Sequence, residues 1–381
     1  MPVELIVSRL LCVVHTHKAR VAAVAAAVVA ALISRRLSAA LMGRALPGKS
    51  AKHAIKRFDR LFGNTKLARE AARFYAAICA ALATHPRPVI LVDWTALHGR
   101  WHALTASMAV SGRSVILFNQ VHDVTRLGSP TVHDAFLRQL RLLLGDAVRP
   151  VIVCDAGFHG DFFRVVMALG WNFVARIRGT AHLSCGGVAH TKASLYARAT
   201  SRPLDFPRSQ LYARNSIECR IVLVRRPHSK RRSKPTANKE LLEYRKSARD
   251  PWLLATSLDA HSAEQVIELY SCRMQIEESF RDMKSGAYGL GFNETRSRSR
   301  ERLTVQLLIA ALALAAAQLV GIDAETRNEH HSLQANTTRS RRVLSLVRLG
   351  FECIRRVAHA LTGEGLRESL AELRSIIRGD P

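Results

Sequence analysis

The chain has 381 residues, of which 57 are Lys or Arg and 30 are Asp or Glu, giving a formal net charge of +27. Hydrophobic residues make up 48% of it, which excludes a disordered basic tail protein, because such chains lack the apolar surface needed to fold. A compact fold with this charge repels itself unless a polyanion offsets it. Nucleic acid is therefore the first candidate partner, and an anionic membrane surface is the second.

The cysteines and two apolar stretches bear on the compartment. The seven cysteines are scattered, odd in number and lack a C-x-x-C pair, which indicates a reducing compartment and argues against a structural zinc site. Residues 21–33 resemble a signal segment but have no clear cleavage site, and residues 303–321 reach the minimum length of a membrane span. The second stretch is Ala-rich and contains Gln306 and Gln318. We interpret both as buried helices and expect a cytoplasmic protein that does not bind membranes.

Residues 1–85 are predicted to form a helical region that binds DNA ends. Helical patterning extends through this region and is broken near Pro47–Gly48. In the stretch KHAIKRFDRLFGN, the apolar residues Ile55, Phe58 and Leu61 recur at helical spacing. Basic residues predicted to contact DNA surround them: Lys52, Lys56, Arg57 and Arg60. A small basic helix of this kind suits DNA binding, and an ordinary solvated basic face is the alternative.

Residues 86–182 are predicted to form the first part of an α/β core. Residues 88–123 contain three apolar runs with short connections, which predict a meander of three strands. An amphipathic helix follows at 130–145, and residues 150–179 read as strand, helix and strand. This order is typical of an α/β protein with a ribonuclease-H-like mixed sheet.

The second half of the chain is predicted to contain an insertion, the rest of the core and a helical end. Residues 183–256 read as a strand-rich basic insertion with a strongly basic loop at 225–250. Residues 257–322 complete the core, beginning with a helix near Ser262, where Gln265 stands at the position of a capping box. Residues 323–381 form a C-terminal helical region that opens on a polar break.

The stretch YSCRMQIEESFRDMK, residues 270–284, predicts one continuous helix with a distinctive polar face. At about 100° per residue, four of its polar residues fall within an arc of roughly 60°: Tyr270, Arg273, Glu277 and Lys284. Glu278 points about 80° away from Tyr270. The alternative is an ordinary polar face with an ion pair between Glu277 and Arg281 at i,i+4.

Two aspartates lie on predicted buried strands. Asp93 lies within VILVDWT, and Asp155 ends VIVCD. An Asp in a buried strand is costly unless it is paired or binds a cation. Either one alone is more often a cap or turn residue, but together with Glu277 in so basic a chain they indicate a set of oxygen ligands for Mg²⁺. Two such ions can activate the attacking oxygen and stabilise the leaving oxygen of a phosphodiester.

These residues carry a resemblance to a known family. Asp93, Asp155 within D-A-G-F, and the pattern Y-x2-R-x3-E-x6-K from Tyr270 to Lys284 resemble the bacterial insertion-sequence DDE transposases marked by a Y-R-E-K helix, the IS-four type. The resemblance covers residues from about 50 to 320. It implies a ribonuclease-H-like fold, a strand-rich insertion before the Glu helix, and transposase activity.

The resemblance also implies a role for each site residue. Asp93, Asp155 and Glu277 would be the catalytic metal ligands, holding Mg²⁺ with Mn²⁺ as a substitute. Phosphates of the transposon end would be gripped by three residues: Tyr270, Arg273 and Lys284. Trp252 would stack on a base flipped during hairpin formation, with core packing as its alternative.

The reaction implied is cut-and-paste transposition. The protein would bind terminal inverted repeats, free a 3′-hydroxyl, form and open a hairpin, and join the end to target DNA. Its partners would be double-stranded DNA at transposon ends and targets, and a second subunit in a homodimeric synaptic complex at the bacterial nucleoid. The alternatives are a metal-dependent nuclease on the same fold, a non-catalytic DNA-binding protein derived from a transposase, and a membrane-surface protein.

Overall fold

The computed structural model describes residues 2–46, 48, 50–178, 182–226, 250–335, 337–338, 340–356 and 362–380. The chain divides into two compact units. Unit 1 comprises Met1–Pro150 and Met274–Gly379, and unit 2 comprises Val151–Arg273 and Asp380–Pro381. Most of the predicted basic loop, residues 227–249, lies outside the described residues.

Unit 1 begins with a series of helices. They are α1 (Pro2–Leu11), α2 (Lys18–Ser34), α3 (Ala39–Ala45), α4 (Ala51–Phe62) and α5 (Thr65–Leu82). Asn64 caps α5 by accepting a 3.0 Å hydrogen bond from the backbone N–H of Leu67. Helices α3 and α4 approach closely at Gly43, where an added Cβ would lie 2.6 Å from the backbone nitrogen of Ile55. The predicted helical character of this region is confirmed.

A meander follows the first helices. It consists of β1 (Val89–Ala96), β2 (Trp101–Ala109) and β3 (Ser114–Asp123), all paired antiparallel. The register places Asp93 opposite Thr105. Helix α6 (Pro130–Leu144) comes next. The three predicted strands and the predicted helix are confirmed. Their prediction was possible because alternating and continuous apolar runs of this length have few other ways to be buried.

The elements of unit 2 form a mixed sheet around one parallel pair. Strands β4 (Val151–Cys154) and β5 (Asn172–Arg176) are parallel and are connected through α7 (Gly160–Ala168). The remaining elements are β6 (Leu183–Cys185), β7 (Val188–His190), α8 (Lys192–Arg198), β8 (Leu204–Leu211), β9 (Ile217–Val224) and β10 (Trp252–Thr256). Within unit 2 the strand order is β4-β5-β10-β9-β8-β6-β7. The insertion is strand-rich as predicted, but it also contains α8, which the sequence pattern did not indicate.

The predicted continuous helix over residues 270–284 is wrong. Two helices are present instead, α9 (Ala263–Ser271) in unit 2 and α10 (Met274–Lys284) in unit 1. The capping box at the start of α9 is confirmed, because the Ser262 hydroxyl accepts from the Gln265 N–H while the Gln265 side chain accepts from the Ser262 N–H. At its end, the N–H groups of Cys272 and Arg273 bond three residues back, which tightens and terminates the helix. Of the four predicted face residues, only Glu277 and Lys284 therefore share a helix.

Helix α11 (Arg300–Thr326) is the central helix of unit 1. It is long and apolar enough to cross a membrane, as is the bent pair α2–α3 taken together, and its most apolar stretch is completely buried inside the protein. Gln306 donates to the Leu37 carbonyl at 3.1 Å, and Gln318 donates to the Ser114 carbonyl at 3.2 Å. Each glutamine thus places an amide N–H donor inside the core, while its side-chain oxygen is buried with no hydrogen-bond partner among the described residues. Residues 303–321 form a buried helix, as predicted.

The C-terminal region packs around α11. Helices α12 (Leu346–Arg356) and α13 (Gly363–Ser375) both contact it. At Gly350 of α12, an added Cβ would lie 1.9 Å from the Ala317 carbonyl oxygen, so only glycine permits this close approach. In α2, Val24 and residues 27–32 are also buried. Together these features confirm the mixed α/β class with flanking helices, an architecture consistent with a ribonuclease-H-like fold.

Candidate active site

Asp93 lies on the face of β1 that is covered by α10. Because side chains alternate along a strand, Asp93 and Thr95 point to the same side. The Lys284 ammonium of α10 donates a 2.7 Å hydrogen bond to the Thr95 hydroxyl. Asp93 is half-buried, and one of its carboxylate oxygens accepts from the backbone N–H of Trp94 at 2.8 Å. A carboxylate and an ammonium therefore share one layer between the strand and the helix.

The opposite face of β1 is fixed by Trp94. Its indole N–H donates to His133 of α6 at 3.1 Å. The same indole contacts the His122 ring edge to face, with 5.7 Å between ring centres. Since Trp94 is held on the α6 side, Asp93 has to face α10. This arrangement explains why an aspartate is tolerated in the middle of an otherwise apolar strand.

Hydrogen bonds to the β2–β3 turn fix the position of α10. Gln275 accepts from the Val110 N–H at 2.8 Å, and the Ser279 hydroxyl accepts from the Ser114 N–H at 3.0 Å. Val110 lies beside the start of β1, whereas Thr95, the partner of Lys284, is near its end. Helix α10 consequently runs along β1 in the same direction.

The two adjacent glutamates of α10 have different surroundings. Glu278 forms an ion pair with Arg113 at 3.3 Å and another with Arg281. Arg113 also pairs with the buried Asp282 at 2.6 Å. Glu277 is half-buried and is seven residues before Lys284, which places both on the same helix face to within about 20°. That face is the one Lys284 presents to β1, so Asp93 and Glu277 flank a common layer of unit 1.

The pKa of Lys284 is lowered in this layer. Burial lowers the pKa of its ammonium, and the nearby Asp93 carboxylate opposes that shift. Burial therefore outweighs the attraction between the two charges. An additional anion, such as a phosphate, would stabilise the charged form of Lys284.

In unit 2, Asp155 follows β4 directly. Its side chain accepts from the Gly157 N–H at 2.8 Å, which fixes it in a short turn. Tyr270 of α9 is nearly completely buried, and burial raises its pKa to about 12. Arg273 and Arg176 act in the opposite direction, while Asp155 adds to the increase. Asp155 and Arg273 therefore both lie close enough to Tyr270 to affect its pKa.

Trp252, at the start of β10, is part of an aromatic and cationic stack. It is half-buried, and the Tyr270 ring meets it edge to face with 4.8 Å between centres. The guanidinium of Arg226 lies 4.9 Å from the centre of the Trp252 ring and donates to the Ser271 hydroxyl at 2.7 Å. Sequence reasoning missed Arg226, and the only available signal was its position just after the apolar run IVLV.

The predicted basic helix has the predicted distribution of side chains. On α4, Phe58 and Leu61 are buried and Ile55 is half-buried. The four basic residues are all exposed: Lys52, Lys56, Arg57 and Arg60. The helix therefore presents a cationic face to solvent, and contact between that face and DNA remains a prediction.

The predicted acidic ligands carry the type of donor atom that a divalent metal requires. Among the described residues, no group of three or more His, Cys, Asp and Glu side chains is arranged to hold a metal ion. Mg²⁺ is usually bound through one or two carboxylates together with water and substrate phosphates. Asp93, Asp155 and Glu277 offer only carboxylate oxygens, the donors that Mg²⁺ and Mn²⁺ prefer. By donor chemistry each of these residues suits such an ion, and their joint role as metal ligands remains a prediction.

Comparison with known proteins places this site within a family. No curated protein matches the chain. The family model described as the transposase DDE domain matches residues 84–316, which include all three predicted acidic ligands and Tyr270, Arg273, Lys284 and Trp252. The match spans more than half of the chain. The chain therefore belongs to the transposase DDE domain family.

Proposed function

We propose that this protein is a DDE transposase that binds the terminal inverted repeats of an insertion sequence and catalyses cut-and-paste cleavage and strand transfer. Membership of the transposase family supports an enzyme that acts on DNA. The observation that carries the proposal is the hydrogen bond from Lys284 to Thr95. It aligns a phosphate-binding cation and the Glu277 face of α10 with the Asp93 face of β1. This combination of carboxylates and a half-buried cation suits chemistry on a phosphodiester.

The acidic residues are proposed to hold the divalent metal. Asp93, Asp155 and Glu277 would be its protein ligands. When bound, Mg²⁺ or Mn²⁺ supplies activation of the attacking oxygen and stabilisation of the leaving oxygen of the phosphodiester. Because Asp93 and Glu277 lie on regular elements, their carboxylates need little rearrangement before reaction, which favours electrostatic catalysis.

The cationic and aromatic residues are proposed to position the DNA. Arg273 can hold a phosphate through two parallel hydrogen bonds, whereas Lys284 acts as a point charge. Tyr270 would donate a hydrogen bond from its phenolic hydroxyl, which is protonated at neutral pH even at the ordinary tyrosine pKa and remains so with the pKa raised by burial. Trp252 would stack on an extruded base, an interaction that requires only an accessible π-face. Its half-buried position supports this role over simple core packing.

DNA ends are proposed to be held by the helical region 1–85 through the exposed cations of α4. The protein would act as a homodimer in the synaptic complex, because each transposon end requires an active site and the two ends must be held together. It would work in the bacterial cytoplasm at the nucleoid. The Y-R-E-K pattern supports the IS-four type in particular.

The test begins with the DNA that flanks the coding region, where matched inverted repeats are expected. A pre-cleaved repeat end with a free 3′-hydroxyl is incubated with purified protein, a target plasmid and Mg²⁺ or Mn²⁺. We expect joined products that disappear when the 3′-hydroxyl is removed.

Two other outcomes would contradict the proposal. Hydrolysis without joining would indicate a metal-dependent nuclease on the same fold. Binding without any cutting would indicate a non-catalytic DNA-binding protein. The variant Asp155→Asn serves as the control, since it should lose cutting and joining while its binding of end DNA persists.

A further inference from the structure

A basic cleft in unit 1 is not explained by the site described above. It has a volume of about 980 Å³ and lies just beyond the end of β1. One wall is the turn from β1 to β2, and the other is the segment that precedes α11. Its principal lining residues are His98, Arg100, Trp101, Thr295, Arg296 and Arg298. This set contains three guanidinium groups and no carboxylate.

The segment before α11 is anchored to the protein on one side and exposes its arginines on the other. Thr295 and Ser297 are buried, whereas Arg296 and Arg298 between and after them are exposed. This alternation is that of an extended chain with one face packed against the protein. The Thr295 hydroxyl is 2.9 Å from a ring nitrogen of His98, and the His98 ring stacks on Phe292. The backbone is therefore anchored from the inner side.

The turn from β1 to β2 supplies the opposite wall and closes onto this segment. The Trp101 indole N–H donates to the Arg298 carbonyl at 2.7 Å. The guanidinium of Arg100 lies over the Trp101 ring, 5.7 Å from its centre, and pairs with Asp123. Within the described part of the chain, neither Arg296 nor Arg298 has a carboxylate partner. The cleft thus carries excess positive charge, and hydrogen bonds fix the backbone of its walls.

The ligand class follows from the size and charge of the cleft. Exposed guanidiniums bind phosphate oxygens well, often through paired hydrogen bonds. The volume exceeds what one phosphate ion needs, and the cations are spread along two walls, so a chain of phosphates fits better than a single anion. The position relative to Asp93 sets a distance. Asp93 and His98 are five residues apart, which spans at most about 18 Å.

We infer that this cleft binds the phosphate backbone of duplex DNA within about five nucleotides of the scissile phosphate, since a strand carries one phosphate per ~3.4 Å of helix axis. The inference rests on the proposed function, because it takes Asp93 to mark the reacting phosphate. Arg296 and Arg298 would be positioning residues that fix the register of the DNA. They would not touch the reacting atoms.

The first test compares two double variants of equal charge. Arg296→Ala with Arg298→Ala removes two cleft cations, and Arg138→Ala with Arg367→Ala removes two exposed arginines of α6 and α13 as a control of equal charge, Arg138 being one that pairs with Asp134. The measurement is the affinity for repeat-end duplex as a function of salt concentration. We expect the cleft variant to reduce the salt slope by about 1.8, the value for two lost phosphate contacts. The control should stay close to the wild-type slope.

The second test locates the contact on the DNA. Uncharged methylphosphonate links are placed one at a time within about five nucleotides on either side of the scissile phosphate. At least one position should weaken binding by the wild-type protein and have no effect on the cleft variant. Replacing both Arg296 and Arg298 by lysine should restore the salt slope, because the positive charge is retained. Such a recovery would also show that the loss in the alanine variant is not caused by misfolding.

The outcomes separate this inference from the proposed function. If the wild-type protein neither binds nor cuts repeat ends, both fail together. If it cuts normally but the cleft variant keeps the wild-type salt slope, or keeps every methylphosphonate effect, only the inference about the cleft is overturned.

Discussion

The two units carry polar clusters that are built in different ways. The unit 1 cluster comprises Asp93, Thr95, Glu277 and Lys284, and the unit 2 cluster comprises Asp155, Arg226, Trp252, Tyr270 and Arg273. In unit 1 all four residues lie within a strand or a helix. The helix is bonded to the β2–β3 turn at one end and to β1 at the other. The unit 1 cluster is therefore set by regular structure.

The unit 2 cluster is placed mainly at the ends of elements. Asp155 follows β4, Arg226 follows β9, and Arg273 lies in the turn after α9. Side chains on strands and helices are held more exactly than those on loops, whereas residues at element ends can adjust to a ligand. The difference is that regular structure holds the unit 1 residues in place, whereas those of unit 2 at element ends have more freedom to adjust.

The largest effect is expected from the acidic residues of unit 1. Asp93→Asn or Glu277→Gln should reduce cleavage by on the order of 10³-fold, because a metal ligand contributes several kcal/mol at the transition state. Glu278→Gln is the matched control, since Glu278 is occupied by Arg113 and Arg281 and should largely preserve cleavage. The measurement is the initial rate of nicking of labelled repeat-end DNA. Equal losses from Glu277→Gln and Glu278→Gln would contradict the assignment of the helix face.

The next effect concerns Arg273 of the unit 2 cluster. Arg273→Ala should slow cleavage by about 10- to 100-fold, the effect of losing a charge-assisted hydrogen bond. Excess Mn²⁺ should fail to restore the rate, because the defect lies in DNA positioning. Cleavage rates are measured over a Mn²⁺ titration with Glu277→Asp as the comparison, where a metal-binding defect should respond. Full recovery of Arg273→Ala by Mn²⁺ would assign this residue to the metal site instead.

A smaller and more selective effect is expected from the Trp252 stack. Trp252→Ala should slow formation of the hairpin by about 10-fold, since stacking on one base contributes about 1–3 kcal/mol. Arg226→Ala should have an effect of only a few-fold, as expected for a partly exposed cation–π contact. First-strand nicking should be unchanged in both, and Trp252→Phe should retain most of the stacking. Nicked and hairpin products are resolved on denaturing gels, and equal slowing of both steps would argue for a structural role of Trp252.

The smallest effect is a gain in stability at Lys284. Lys284→Met should raise the free energy of unfolding at neutral pH by about 0.5–1 kcal/mol, a usual size for one stabilising change, because it removes a charge that burial disfavours. The pKa of Lys284 is lowered in the folded state, so the unfolded chain binds more protons between that value and the ordinary 10.5. Wild-type stability should therefore contain a component that rises with pH in this window.

Denaturant unfolding from neutral pH upward measures this component. The variant should lack it, and the exposed Lys52→Met should retain it without any gain in stability. If Lys284→Met lowers stability instead, its hydrogen bond to Thr95 outweighs the burial of its charge. Lys284 would then make a net stabilising contribution to the unit 1 cluster.

Local sequence patterns determined much of the architecture. The meander, α6, the parallel pair β4 and β5, and the buried α11 all follow from apolar runs whose length and period have few other solutions. The capping box at Ser262 was predicted because both of its hydrogen bonds lie within four consecutive residues. Asp93 and Asp155 were singled out because charged residues on apolar strands are conspicuous, and Glu277 because it shares a helix face with Lys284. Their proposed roles remain predictions.

Only the tertiary structure decided how neighbouring side chains are used. The break at Cys272–Arg273 interrupts a sequence that has helical character throughout, so propensity alone could not locate it. Arg113 binds Glu278 across 165 residues, and Trp101 binds the Arg298 carbonyl across 197. Such contacts depend on which surfaces meet after folding, and no periodicity in the chain records them. The sequence therefore identified the acidic residues and the excess of positive charge. The ion pair of Glu278 with Arg113 and the cleft formed by Arg100, Arg296 and Arg298 are visible only in the folded protein.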